Sequence, residues 1–290
     1  MLMGEESATG ARSFINQSGG TINANGSVFM AGQNSTISVS GGTFNLGSSS
    51  LIMGTGTGVS TNSTLSVNGT GTVAMGYLEL GKWSRNATAL TVNLGDGMVG
   101  GNLSITNMSY GAGAGSGATT INFNGGTLTT NGTFSMATQA ATVVKSGGAI
   151  FNVVGATTFT VSNNLTTDGT GGGLTKNGTG TLILSGANTY TGTTTVNTGT
   201  LQIGAGSTTG SLSASSAITN NGTLSFNRTD TLTQGTDFAS TISGTGNLIQ
   251  AGTGSLILSG SNTYNGITTL RAGTLQMAHA SALGSGGNIT

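Results

Sequence analysis

The sequence predicts an all-β fold in which coils of about 22–25 residues stack as a parallel β-helix, or β-solenoid. Three observations point there. The composition is rich in Gly, Thr, Ser and Asn and almost free of charge. Short stretches of alternating apolar and polar residues lie between glycine turns. A long segment of the chain repeats.

Composition comes first. The 290 residues are enough to bury a sizeable core. Only 5% are charged, which argues against ordinary disorder, usually highly charged and rich in Pro, Glu and Lys. The 54 Gly occur with no Pro and no three-residue period, which excludes collagen. Seven basic and seven acidic residues give zero net charge. The cations Arg12, Lys82, Arg85, Lys145, Lys176, Arg228 and Arg271 are scattered, so the clustering that nucleic acid or an anionic membrane surface demands is missing. No apolar run approaches the ~20 residues of a membrane helix. The lack of Cys removes disulfide scaffolds and thiolate metal sites.

The strand signals come next. Thr36–Ser40, Thr64–Asn68 and Ala89–Leu94 alternate apolar and polar residues, as half-buried strands do. Asn-Gly pairs at Asn25, Asn68, Asn124, Asn131, Asn177, Asn221 and Asn265 sit between strands, and both residue types tolerate the positive φ of tight corners. Gly-rich starts at Gly19 and Gly41 are spaced by one such coil, and the same spacing returns between Gly125 and Gly147. Only Met277–Leu283 could make one or two helical turns. Tyr110–Gly117 reads as a loop.

The repeat is the strongest signal. Leu174–Gln202 returns as Leu248–Gln276 without a gap. The shared positions are Gly178, Gly180, Leu182, Leu184, Gly186, Asn188, Tyr190, Gly192, Gly199 and Leu201. Their copies are Gly252, Gly254, Leu256, Leu258, Gly260, Asn262, Tyr264, Gly266, Gly273 and Leu275. The organisation read from this is residues 1–172 as Gly/Thr/Asn-rich coils with a Gly/Ala-rich loop near 110–118, and 173–290 as coils holding repeats at 174–204 and 248–278. Hairpin architectures also use Asn-Gly turns, so a sandwich or barrel stays open. The period favours the solenoid, because stacked units of like sequence bury one continuous apolar interior.

The residues Leu174, Lys176, Gly178-Thr179-Gly180, Leu182 to Gly186, Asn188-Thr189-Tyr190-Thr191-Gly192 and Gly199-Thr200-Leu201 resemble the autotransporter-associated β-strand repeat, also called the passenger-associated transport repeat. The resemblance implies a right-handed parallel β-helix exported through a C-terminal outer-membrane β-barrel, the translocator of the full-length precursor. It implies a bacterial cell surface, attached to the outer membrane or secreted, and repeats that assist export. It brings no catalytic residues. The absence of Cys fits a chain that crosses an outer membrane unfolded. Met1–Glu6 lacks the basic and apolar regions of a signal peptide, so a fragment of a longer precursor is expected.

Acidic residues are the first place to look for chemistry, because β-helices host polysaccharide hydrolases and lyases. Those need paired carboxylates, or a carboxylate-bound Ca²⁺ with a nearby base. Among Glu5, Glu6, Glu79, Asp96, Asp168, Asp230 and Asp237, no two stand one coil apart. His279 is the only His, and no triad or metal cluster forms around it on sequence grounds. Gly54–Gly58 lacks the Lys and helix of a phosphate loop. The Asn-x-Ser/Thr triplets at Asn34, Asn62, Asn86 and Asn164 follow from composition.

Tyr190 and Tyr264 are expected to pack corners, with a sugar-contact surface as the alternative. Trp83, between Lys82 and Arg85, is a contact site or a packing feature. The expectation is therefore no catalytic, cofactor or metal site and no enzyme. It is a structural or adhesive stalk, with host or matrix glycans or proteins as candidate partners and no nucleic acid. A carbohydrate-active enzyme and a self-assembling matrix fibre are the alternatives.

Two further expectations concern packing. Leu182–Leu184 and Leu256–Leu258 should share one sheet about three coils apart. Leu182, Leu184, Val196, Leu201 and Ile203 should line the interior, with Leu256, Leu258, Leu270, Leu275 and Met277 as counterparts.

Overall fold

The computed structural model describes residues 2–3, 14–30, 34–54, 61–81, 87–98, 100–110, 118–136, 139–286 and 288–290, in two compact units, 1–149 and 150–290. No described residue is helical, and the described strand pairings within each unit are parallel. Met277 ends a strand, and 280–286 form turns, so the helical turns that Met277–Leu283 allowed do not form. The Lys82–Trp83–Arg85 cluster, Glu5, Glu6 and most of the 110–118 segment lie outside the described residues.

In the first unit, Phe14–Asn23, Ser35–Asn45, Thr61–Val67, Ala87–Leu94, Ala118–Phe123 and Ala140–Val144 stack in that order. Strand alternation sends Ile37, Leu65, Val92 and Ile121 inward as one column, each at most 1% exposed. Coil length is uneven. Thr21 pairs with Thr43, as the spacing of Gly19 and Gly41 predicts, whereas the coil that carries Thr91 onto Thr120 is distinctly longer.

The second unit has three faces. Leu174–Asn177, Thr194–Val196, Ile218–Asn220 and Ile242–Ser243 form one. Thr158–Val161, Thr181–Leu184, Thr200–Ser207, Thr223–Arg228, Asn247–Gln250 and Thr268–Leu270 form the second. Thr231–Thr233, Ser255–Leu258 and Thr274–Met277 form the third.

The stacking expectation for the repeat is corrected here. Leu182–Leu184 belongs to the second face and Leu256–Leu258 to the third. Leu174 stacks through Thr194 and Ile218 to Ile242, which completes three coils. Leu248, the copy of Leu174, comes later in the chain than Ile242, so the copy overshoots by one corner. It joins the column Leu182, Leu201, Leu224 instead. Both faces belong to a parallel stack, so the solenoid stands while the register changes.

The core expectation holds for one row and fails at the end of the other. Leu182, Leu184, Val196, Leu201, Ile203, Leu256 and Leu258 are fully buried. Leu270 is 40% and Met277 50% exposed, and Leu275 is half-buried. The strand Thr274–Met277 pairs only with Ser255–Leu258, so no described coil covers its other side. Burial of a solenoid side chain needs a neighbour above as well as below.

Candidate functional site

The repeat positions build three corners. At the first, the strand Leu174–Asn177 turns through Gly178-Thr179-Gly180 into Thr181–Leu184. Gly178 has φ +77°, and a Cβ there would collide with the Val153 carbonyl oxygen, so only glycine fits. The turn leaves carbonyl groups pointing inward, and Lys176 meets them. Its side chain is fully buried, and Nζ donates to the carbonyls of Asn177, Gly178 and Thr198 at 2.8, 2.8 and 3.2 Å. Burial pushes this ammonium down to about 8, since a dry interior disfavours the charged form. Gln250 holds the same place in the copy. Its Nε2 donates to the carbonyls of Gly252 and Gly254 at 2.9 and 3.0 Å. Sequence reasoning placed Lys176 in the signature without seeing this role. The available signal was a long side chain with a terminal N–H donor at the same point of both copies.

At the second corner, after Gly186 and Gly260, an asparagine ties neighbouring coils together. Asn188 accepts from the Leu165 amide at 2.9 Å and donates to the carbonyls of Ser211 and Gly186. Asn262 accepts from the Ile242 amide at 2.9 Å and donates to the Ala282 carbonyl at 2.7 Å and to Gln234 Oε1. Both are nearly fully buried, so their amides replace water for backbone groups that the corner leaves unpaired.

Tyr190 and Tyr264 follow, and both are fully buried. Each hydroxyl shares a 2.7 Å hydrogen bond with the threonine four residues further along the chain, Thr194 or Thr268. Burial raises both phenols above their ordinary value. The packing reading of these rings is the one the geometry gives, and neither offers a surface to a sugar.

The third corner is short. Gly199 and Gly273, at φ +68°, open the strands of Leu201 and Leu275. Gly192 and Gly266 sit between the second and third corners, where their missing Cβ atoms let neighbouring backbones close in. At Asn-Gly pairs the left-handed geometry appears at Gly69, Gly125 and Gly178. At Gly222 and Gly266 the requirement is close approach instead.

The described acids each hold a structural bond. Asp230 takes a bidentate contact from Arg228, 2.8 Å from Nε and 2.5 Å from Nη2, which holds its carboxyl below the usual range. Asp237 accepts from the Thr233 amide, Asp168 from Thr170 and Asp96 from the Met98 amide. Glu79 accepts from Ser50 at 2.9 Å. His279 Nδ1 accepts from the Ser281 amide. No group of three His, Cys, Asp or Glu able to hold a metal occurs among the described residues.

Comparison with known proteins agrees with these corners. The family model described as passenger-associated-transport-repeat matches residues 174–203 and 248–277. The protein named adhesin BmaC autotransporter, of Brucella suis biovar 1 (strain 1330), is 53% identical over 62 residues. That span is 21% of this chain and 2% of that protein. No solved structure matches. The two segments whose glycine corners, buried Asn and Tyr pairs and stacked leucines have just been described are copies of the passenger-associated transport repeat of autotransporters.

Proposed function

We propose that this chain is a segment of a surface-displayed or secreted bacterial autotransporter passenger, acting as a structural and adhesive stalk. Its repeats assist passage across the outer membrane, and the partner in that step is the C-terminal β-barrel of the precursor. The observation that carries the reading is the double occurrence of the transport repeat in parallel coils. Coils that bind mainly their neighbours can fold one after another as a chain emerges, so folding outside the membrane can draw the rest across. The adhesive part rests on one relative, an adhesin, of which this chain matches 2%. Host or matrix glycans or proteins are the partners it implies.

The same reading makes the chain no enzyme. It is supported by the engagement of the described acids in backbone caps and one ion pair, since glycosidic cleavage needs two carboxylates facing one bond. The repeat signature, Gly178 to Leu201 and Gly252 to Leu275, then serves export and coil closure. The test is surface display from a precursor that carries this chain, with and without residues 174–203 and 248–277. Fewer passengers at the surface and more proteolysis in the periplasm support the proposal. Equal display with both repeats deleted overturns the export role.

A further inference from the structure

Within the second unit, three successive coils open a cleft of about 470 Å³. Ser162, Ser185 and Thr208 line it, one from each coil, with Asn164 and Ser211 around them and Arg228 from the next coil. Val161 pairs with Leu184, so the two serines that follow them stand one coil step apart, ~4.8 Å. The strand after Ile203 departs from regular register, and this irregular stretch carries Thr208 to the same cleft. Ser162 and Thr208 are exposed and Ser185 is half-buried. No protein group among the described residues satisfies these three hydroxyls. Their neighbours are committed: Asn164 Oδ1 accepts from the Ala187 amide at 2.7 Å, and Arg228 Nη1 donates to the Gly210 carbonyl at 2.6 Å.

We propose that this cleft is a subsite for an uncharged saccharide. The proposal rests on the adhesive reading and adds to it a place and a chemical class. A sugar chain repeats hydroxyl donors and acceptors along its length, which a group of unpartnered hydroxyls can meet. Charge selects the class. The guanidinium is closed onto Asp230, so the cleft carries no uncompensated cation for a sulfate or carboxylate. It contains no aromatic ring on which a sugar face could stack. Binding at one cleft is therefore millimolar, and useful only when many passengers present it together.

The test is a nuclear magnetic resonance titration of the whole chain with cellohexaose, maltohexaose and chitohexaose, and with a heparin-derived hexasaccharide as the charged probe. At least one neutral probe should shift the amides of Ser162–Asn164, Ser185–Ala187 and Thr208–Ser211. The Ser162→Ala, Ser185→Ala, Thr208→Val triple variant, with its strand spectrum intact, should bind roughly tenfold more weakly. Shifts that lie elsewhere, that survive the triple change, that appear only with the heparin fragment, or that are absent with every probe overturn the subsite. Adhesion is scored separately on cells and matrix. If the triple variant adheres like the parent chain, the cleft fails and the adhesive reading survives. If neither adheres while the cleft binds a saccharide, adhesion fails and the subsite stands.

Discussion

Lys176 and Gln250 occupy the same position in the two repeats and do the same work: each buries a terminal N–H donor against the carbonyls of its Gly-Thr-Gly corner. One is charged and the other is neutral, and pH separates them. Burial lowers Lys176 from 10.5 to about 8. Between those values the unfolded chain binds the proton that the folded chain has lost. Stability therefore rises with pH through that window, by at most about 3 kcal/mol. Urea unfolding between pH 7 and 11 should show the rise. Lys176→Gln should flatten it while keeping the corner closed. A slope unchanged by that substitution would place the titration elsewhere.

Leu182 and Met277 should respond very differently to truncation. Leu182→Ala removes a fully buried side chain and should cost ~2–5 kcal/mol. Met277→Ala, at a side chain 50% exposed, should stay within about 0.5 kcal/mol. Hydrogen exchange should confine the damage from the first to its own coil and the adjacent ones. Loss of protection across the whole unit would point to a compact domain instead.

The alternating leucines and the glycine corners were legible in the sequence, because each follows from local pattern. The register of the repeat was not. Coil length varies: the coil from Thr181 to its partner Thr200 is shorter than the one from Thr223 to its partner Asn247. The offset between the two copies therefore does not reveal which face Leu256 reaches. Nor was the exposure of Leu270 and Met277 legible, since it depends on what stacks above them. The interior position of Lys176 ran against the ordinary rule for charged side chains; three carbonyl acceptors from two coils make it tenable.

The corner asparagines should be costly to lose. Asn188→Ala leaves the Leu165 amide and the Ser211 carbonyl without this partner, and the expected cost is on the order of 2–4 kcal/mol. Asn262→Asp keeps the acceptor but turns the donor toward Ala282 and Gln234 into a second acceptor, so it should destabilise as much. Thermal unfolding of the two variants measures both. A change below about 0.5 kcal/mol in either would mean that water replaces the amide.

Tyr190→Phe should be milder, about 1 kcal/mol, because the ring stays packed and Thr194 keeps its contact with Ser216 at 3.2 Å. Tyr190→Ala should cost ~3–5 kcal/mol from the cavity it opens. If the ring served as a sugar platform instead, both changes would weaken glycan binding with little effect on unfolding.

The parallel stack itself is open to a direct test, and the absence of native Cys makes it clean. Thr181 lies beside Thr200 and Ile183 beside Gln202 on neighbouring coils. Cysteines at 181 and 200, or at 183 and 202, should therefore form disulfides within the chain. Cysteines at 181 and 202 sit diagonally, roughly 8 Å apart, beyond disulfide reach. The measurement is the oxidised cross-linking yield of the three pairs. High yield for the first two and little for the third is the result predicted; efficient cross-linking of 181 with 202, and none of 181 with 200, would contradict the solenoid.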